Sequence, residues 1–204
     1  MEGDTRDRST VQLDIEEREQ LESVVVEMRD RVESNVEYRL ARRGLDEAPD
    51  DPGTLDAEAE QLVEAIQLEA DDDIDWDEAV AEYVTGVGYT IVNRLAALRC
   101  MEVRGFVDEA VTVVKSNGLT PAAETLVHEA FLMEDEALLA AYHEACDELA
   151  DEIELLFDRS SAYSLLDPDA DTFEALCGML DDVPEAVWRA DDVLGWVYEY
   201  YNTS

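Results

Sequence analysis

The stretch Thr85-Gly86-Val87-Gly88-Tyr89-Thr90-Ile91-Val92-Asn93-Arg94-Leu95-Ala96-Ala97-Leu98-Arg99-Cys100-Met101 decides how this chain is read. Its first half, with two glycines and a run of β-branched and aromatic residues, is the most strand-prone segment in the sequence. The apolar spacing argues otherwise. Val84, Val87, Ile91, Leu95, Leu98 and Met101 recur every three or four residues, the period of one face of a helix. Two internal glycines cost a helix ~1 kcal/mol each, so their presence implies close approach of a neighbouring backbone. Working outward, Asp75 and Glu78 have the spacing of a reciprocal helix start, and Gly105 is a stop. The segment predicts one long helix over 76–104.

The same period sets the rest of the chain. Leu21, Val25, Met28, Val32, Val36 and Leu40 place a helix over about 11–43, closed by Gly44. Leu45 to Gly53, with two prolines and four acids, reads as a solvated connector. Leu62, Val63 and Ile66 mark a helix over about 54–69. Short helices are predicted near 107–116 and 121–131, the second with Thr120 as cap and Pro121 in its first turn. A third long helix spans 135–157 on the face of Leu138, Leu139, Tyr142, Cys146, Leu149, Ile153 and Leu156. Residues 159–171 read as a loop, followed by short helices near 172–180, 184–188 and 191–201. No segment alternates long enough to be a strand. The expectation is an all-α, irregular multi-helix bundle: a flexible N-terminus over 1–10, then a single helical domain over 11–204.

Composition limits the function. The 204 residues carry 53 acids against 14 cations, a net charge of -39, and Lys115 is the only lysine. Acids spread along the whole chain suggest salt adaptation, because near molar salt the Debye length falls to ~3 Å and like charges are screened. In dilute buffer the same charge should destabilise the compact state. Cys100, Cys146 and Cys177 form no CxxC pair and leave an odd count, which argues for buried thiols in a reducing compartment. No run approaches the ~20 apolar residues of a membrane span, and the first residues lack the apolar stretch of a signal peptide. A cytoplasmic protein is expected.

Constellations that could carry chemistry are few. Gly86 and Gly88 lack the preceding strand and following helix of a nucleotide loop. Asp71, Asp73, Asp75 and Glu82 match four positions of a calcium loop, but Trp76 stands where the sharp turn needs glycine. His143 and Cys146 lie one helical turn apart, with no second pair to complete a structural zinc site. Nothing near Ser160, Ser161 or the cysteines activates a nucleophile. Arg94, Arg99 and Arg104 stand out in so acidic a chain. They read either as phosphate contacts or as partners of nearby acids such as Glu102 that clamp adjoining helices, the second being favoured. Arg39, Arg42 and Arg43 form a weaker cluster at a helix C-terminus, where cations are favoured anyway.

Two further stretches carry a family resemblance. Tyr89 to Gly105, with its asparagine-arginine-leucine segment ending in Met101-Glu102-Val103, and Trp188 to Asn202, with Gly195-Trp196-Val197-Tyr198-Glu199-Tyr200, are similar to the N-terminal helical region of PglX-type adenine-specific DNA methyltransferases of the Pgl and BREX phage-defence systems. The resemblance implies a full-length enzyme that moves a methyl group from S-adenosylmethionine to the N6 of adenine in DNA. This chain has no cofactor loop and no Asn-Pro-Pro-Tyr tetrapeptide, so no catalytic, cofactor-binding or metal-binding residue carries over. What it implies here is an inactive helical module, whether truncated, split or separately encoded. Its expected partners are a catalytic methyltransferase portion or other phage-defence subunits, and DNA through the parent enzyme. Trp196, Tyr198, Tyr200 and Tyr201 are the expected docking surface, and Arg94, Arg99 and Arg104 the candidate DNA-phosphate contacts. The alternative is an acidic DNA mimic or protein-interaction module from a halophile.

Overall fold

Helix α3 (Trp76–Val103) runs through the centre of the computed structural model, which describes residues 12–51, 55–69 and 74–203. Around it lie α1 (Ile15–Ala41), α2 (Ala57–Glu69), α4 (Pro121–Glu129), α5 (Glu134–Ala150), α6 (Glu154–Phe157), α7 (Ala170–Asp181), α8 (Glu185–Trp188) and α9 (Val193–Asn202). A 3-10 turn, Ala162–Ser164, precedes α7. Among the described residues there is no strand, as the helical period demands. The expected flexible terminus over 1–10 lies outside the described residues, as do Asp71 and Asp73 of the calcium-like spacing and Pro52 and Gly53 of the connector.

Each long helix buries the face its sequence marks. All six apolar residues of the α1 stripe are buried, each contributing roughly 1.5–3 kcal/mol against exposure. The helix opens on a capping box: the Asp14 carboxylate accepts from the Glu17 amide and the Glu17 carboxylate from the Asp14 amide, both at 2.9 Å. It closes on Gly44 in the left-handed region (φ 71°), with the Leu45 amide reaching back to the Leu40 carbonyl at 3.1 Å. At the start of α3 Asp75 caps the Glu78 amide, but the return bond expected from Glu78 does not form. Buried side chains from Leu13 to Tyr201 make one contiguous cluster, with α1, α2, α7, α8 and α9 all packed on α3 or on one another.

Four expectations are corrected. Leu45 is not a solvated connector residue: it is fully buried, and its carbonyl accepts the Trp76 indole N–H at 3.1 Å. Residues 107–116 form no helix, because the Glu102 carboxylate takes the amides of Val111 (2.7 Å) and Thr112 (2.9 Å) that a helix would have used. The helix expected over 135–157 is real but interrupted at 151–153, and the break turns Phe157 into the core while leaving Leu155 on the surface. The neighbours of Gly86 and Gly88 are side chains, not backbone. A Cβ at Gly86 would overlap the Tyr163 ring, and one at Gly88 the Tyr201 hydroxyl.

Candidate functional site

The three arginines of α3 point to three different places, since a five-residue step turns ~140° around a helix. Arg94 is buried. Its guanidinium donates to the carbonyls of Leu156 and Asp158, both at 2.7 Å, and to the Ser164 hydroxyl at 3.0 Å. One cation thereby ties α6 and the 3-10 turn to α3. Arg99, also buried, bridges the Asp181 carboxylate at the end of α7 (2.9 Å) and Glu102 (3.6 Å), while its Nε has no partner. Arg104 donates to the carbonyls of Arg189 and Ala190 just beyond α8, at 3.2 and 3.1 Å. A cation suits the carbonyl end of a helix. All three guanidinium groups hold later segments of the chain onto α3.

Glu102 belongs to the same network. Besides the two amides it accepts the Thr112 hydroxyl, so a nearly buried carboxylate organises the whole turn from 107 to 116. Three charge-assisted bonds at one group, each worth about 1.5–3 kcal/mol, explain why the turn keeps its shape without regular structure.

Helix α9 joins α1 to α3. The Tyr201 hydroxyl donates to Glu33 on α1 at 2.7 Å and lies 3.2 Å from the Thr85 carbonyl on α3, while Arg29 donates to the Tyr201 carbonyl at 3.1 Å. Burial, helped by the Glu33 bond, drives this phenol far above its ordinary pKa. Trp196 stacks on Tyr200, lies under the Arg18 guanidinium at 4.9 Å and donates to Asp192 at 2.8 Å. Of the four aromatics expected at a docking surface, Tyr200 and Tyr201 are buried within the chain and Trp196 is half-buried. Tyr198 is 56% exposed, edge-on to Tyr89. Tyr89, Tyr163 and the fully exposed Leu155 line a groove of about 720 Å³.

The remaining candidates have local roles. Burial raises the thiols of Cys100 and Cys146 to about 11 each, and that of Cys177 further, so none is a thiolate near neutrality. His143 pairs with Asp167 at 2.8 Å, away from any joint site with the buried Cys146, and among the described residues no three metal-ligating side chains converge. Ser160 bonds Asp158 through both its amide and its hydroxyl, closing a turn. Among the described residues no helix is long and apolar enough to cross a membrane. Exposed acids are distributed over the helices, among them Glu16 on α1, Glu60 on α2, Asp77 on α3, Glu136 on α5, Asp171 on α7 and Glu185 on α8.

Known proteins resemble this chain in part. Adenine-specific methyltransferase BrxX of Escherichia coli O9:H4 (strain HS) is 33% identical over 136 residues, an overlap covering 55% of this chain and 11% of that protein. Adenine-specific methyltransferase PglX of Lacticaseibacillus casei (strain Zhang) is 24% identical over 161 residues, covering 63% of this chain and 13% of that protein. The chain is distantly related to BrxX- and PglX-type methyltransferases. It spans only about a tenth of the length of these relatives. No family model matches the chain, and no solved structure does.

The arginine roles were only half legible. Their spacing marked them as spread around a helix, but not which carbonyls they would reach 62 to 86 residues away. The spacing of Glu102 from Arg99 marked it as an arginine partner, but nothing in the sequence marked it as the acceptor for the Val111 and Thr112 amides. Its role depends on a fold-level contact.

Proposed function

We propose that residues 11–204 form one helical domain serving an adenine-specific DNA methyltransferase of the BREX/Pgl phage-defence type. In this reading the domain docks onto a catalytic portion and helps position DNA, while methyl transfer from S-adenosylmethionine takes place elsewhere. The observation that carries it is the partial kinship: the shared segment amounts to 11–13% of BrxX and PglX. What the chain contributes fits a scaffold. Its Gly86-Val87-Gly88 pair sits inside α3 against the Tyr163 ring and the Tyr201 hydroxyl, so it supplies no strand-loop-helix cradle for the cofactor. Its buried cations hold helices together. Its acidity, distributed over six helices, fits a salty cytoplasm better than a phosphate-like ladder.

Adenine N6 methylation of DNA is the test, with three samples: the chain alone, a catalytic portion bearing the cofactor loop and base-holding tetrapeptide, and the two co-expressed. Methylation is expected in the combined sample, reduced without the chain and absent with the chain alone. Turnover of S-adenosylmethionine by the isolated chain would refute the module reading. Inhibition of an unrelated DNA-processing enzyme by the chain would favour DNA mimicry instead.

A further inference from the structure

Arg39, Arg42 and Arg43, near the C-terminus of α1, line one open cleft of about 420 Å³ together with Tyr38 and Asp169. Their surroundings differ from those of the α3 arginines. Arg43 has a long bond to the Arg39 carbonyl (3.4 Å) and a 3.8 Å contact with Glu58, whose side chain is 83% exposed. Arg42 stands over the Tyr38 ring at 6.0 Å and has no carboxylate at ion-pair distance among the described residues. The Nε of Arg39 is buried without a partner. Asp169 makes no ion pair with the three arginines: its carboxylate accepts from the Asn35 amide at 2.6 Å and from the Thr172 backbone N–H at 2.8 Å, and the Arg39 charge acts on it only at longer range. Three underused guanidinium groups thus converge in a chain with 53 acids available to pair with them.

A helix C-terminus tolerates cations, but that accounts for their presence and not for their convergence. A guanidinium's fork of donors fits an oxyanion, and a cluster of them fits phosphate. The Tyr38 ring, 57% exposed beside Arg42, adds a flat aromatic face of the kind on which a base or sugar rests. Resting on the DNA-positioning reading above, we infer that this cleft binds a backbone phosphate of nucleic acid, with Tyr38 as the platform for the adjoining nucleotide. The contact is local, since the chain as a whole repels polyanions, and it weakens with salt as counterion release requires.

The test uses the full 204-residue chain and fluorescence anisotropy of labelled DNA, duplex and single-stranded, over a range of KCl concentrations. Arg42→Ala and Arg43→Ala should each weaken binding roughly tenfold whatever the sequence, and reduce the slope of log affinity against log salt by about 1. Tyr38→Ala should affect the single strand more than the duplex. Arg189→Ala, at an exposed residue paired with Glu185, should leave binding unchanged. Unaltered circular dichroism would show that the variants fold. If the double variant Arg42→Ala/Arg43→Ala binds DNA as the wild type does, the cleft is overturned while DNA positioning stands. If the wild-type chain binds no DNA yet restores methylation to the catalytic portion, the cleft falls and the docking module stands. If inorganic phosphate binds and DNA does not, the site takes a free oxyanion and the nucleic-acid assignment fails.

Discussion

The Tyr201 hydroxyl donates to the Glu33 carboxylate at 2.7 Å, joining residues 168 positions apart. The bond occupies the notch left by Gly88, where any side chain would displace the hydroxyl. Removing the hydroxyl by Tyr201→Phe leaves the ring in place and deprives a carboxylate of its donor. A loss of about 1–3 kcal/mol is expected, measured by denaturant unfolding at high salt with an unchanged m-value. No change in midpoint would show that Glu33 is fully hydrated.

Alkaline pH should unfold the chain. Burial raises the phenols of Tyr83, Tyr142 and Tyr201 well above the ordinary 10.0. Above that pH the unfolded chain releases protons that the folded chain retains, so stability is intact below about 10 and falls as pH rises toward the folded-state values. Tyrosinate absorbance from these three phenols should therefore appear together with the loss of helical signal. If it appears while the helices persist, the burial argument fails.

Glu102→Ala removes the acceptor for the Val111 and Thr112 amides. With two backbone donors left unpaired at about 1–3 kcal/mol each, a destabilisation of about 2–6 kcal/mol is expected. Hydrogen exchange should locate it, the amides of Val111 and Thr112 losing protection first. Uniform loss across all helices would mean that the carboxylate does not organise the turn.

Gly86→Ala distinguishes propensity from packing. On an unobstructed helix the change would stabilise by about 1 kcal/mol. Here the new methyl meets the Tyr163 ring, so a net loss of about 1–3 kcal/mol is expected. In a Tyr163→Ala background the sign should reverse, a double-mutant coupling readable by thermal unfolding.

Salt should stabilise the fold. With a net charge of -39, raising KCl from about 0.1 M to about 1 M shortens the Debye length from ~10 Å to ~3 Å and relieves self-repulsion. The Tm is expected to climb steadily over that range. A flat or falling Tm would separate the acidity from any salty habitat.

How much of this could be read beforehand differs element by element. The α1 stripe from Leu21 to Leu40 was legible because six buried residues repeat with one period, and local chemistry supplied the Gly44 stop. The start of α1 was misplaced: apolar spacing put it near residue 11, whereas the capping box of Asp14 and Glu17 opens the helix at Ile15. The break at 151–153 was not. Leu149, Ile153 and Leu156 keep helical spacing through it, while the fold turns the chain so that Phe157 is buried and Arg94 reaches the Leu156 and Asp158 carbonyls. Among the candidate binding residues, the sequence marked both arginine clusters but ranked Arg39, Arg42 and Arg43 second, because a helix C-terminus favours cations anyway. Partner saturation distinguishes them: Arg94 has three acceptors, whereas Arg42 has no carboxylate at ion-pair distance among the described residues.

The seating of α9 has a consequence for how the protein is made. Asp192 accepts the Leu13 amide and Tyr201 accepts from Arg29, so the earliest described residues find partners supplied 172 to 179 positions later. A nascent polypeptide leaving the ribosome would hold α1 and α3 with their shared seam open until α9 was synthesised. Until then the apolar seam stays uncovered, and in the cell that interval is when chaperones would meet it.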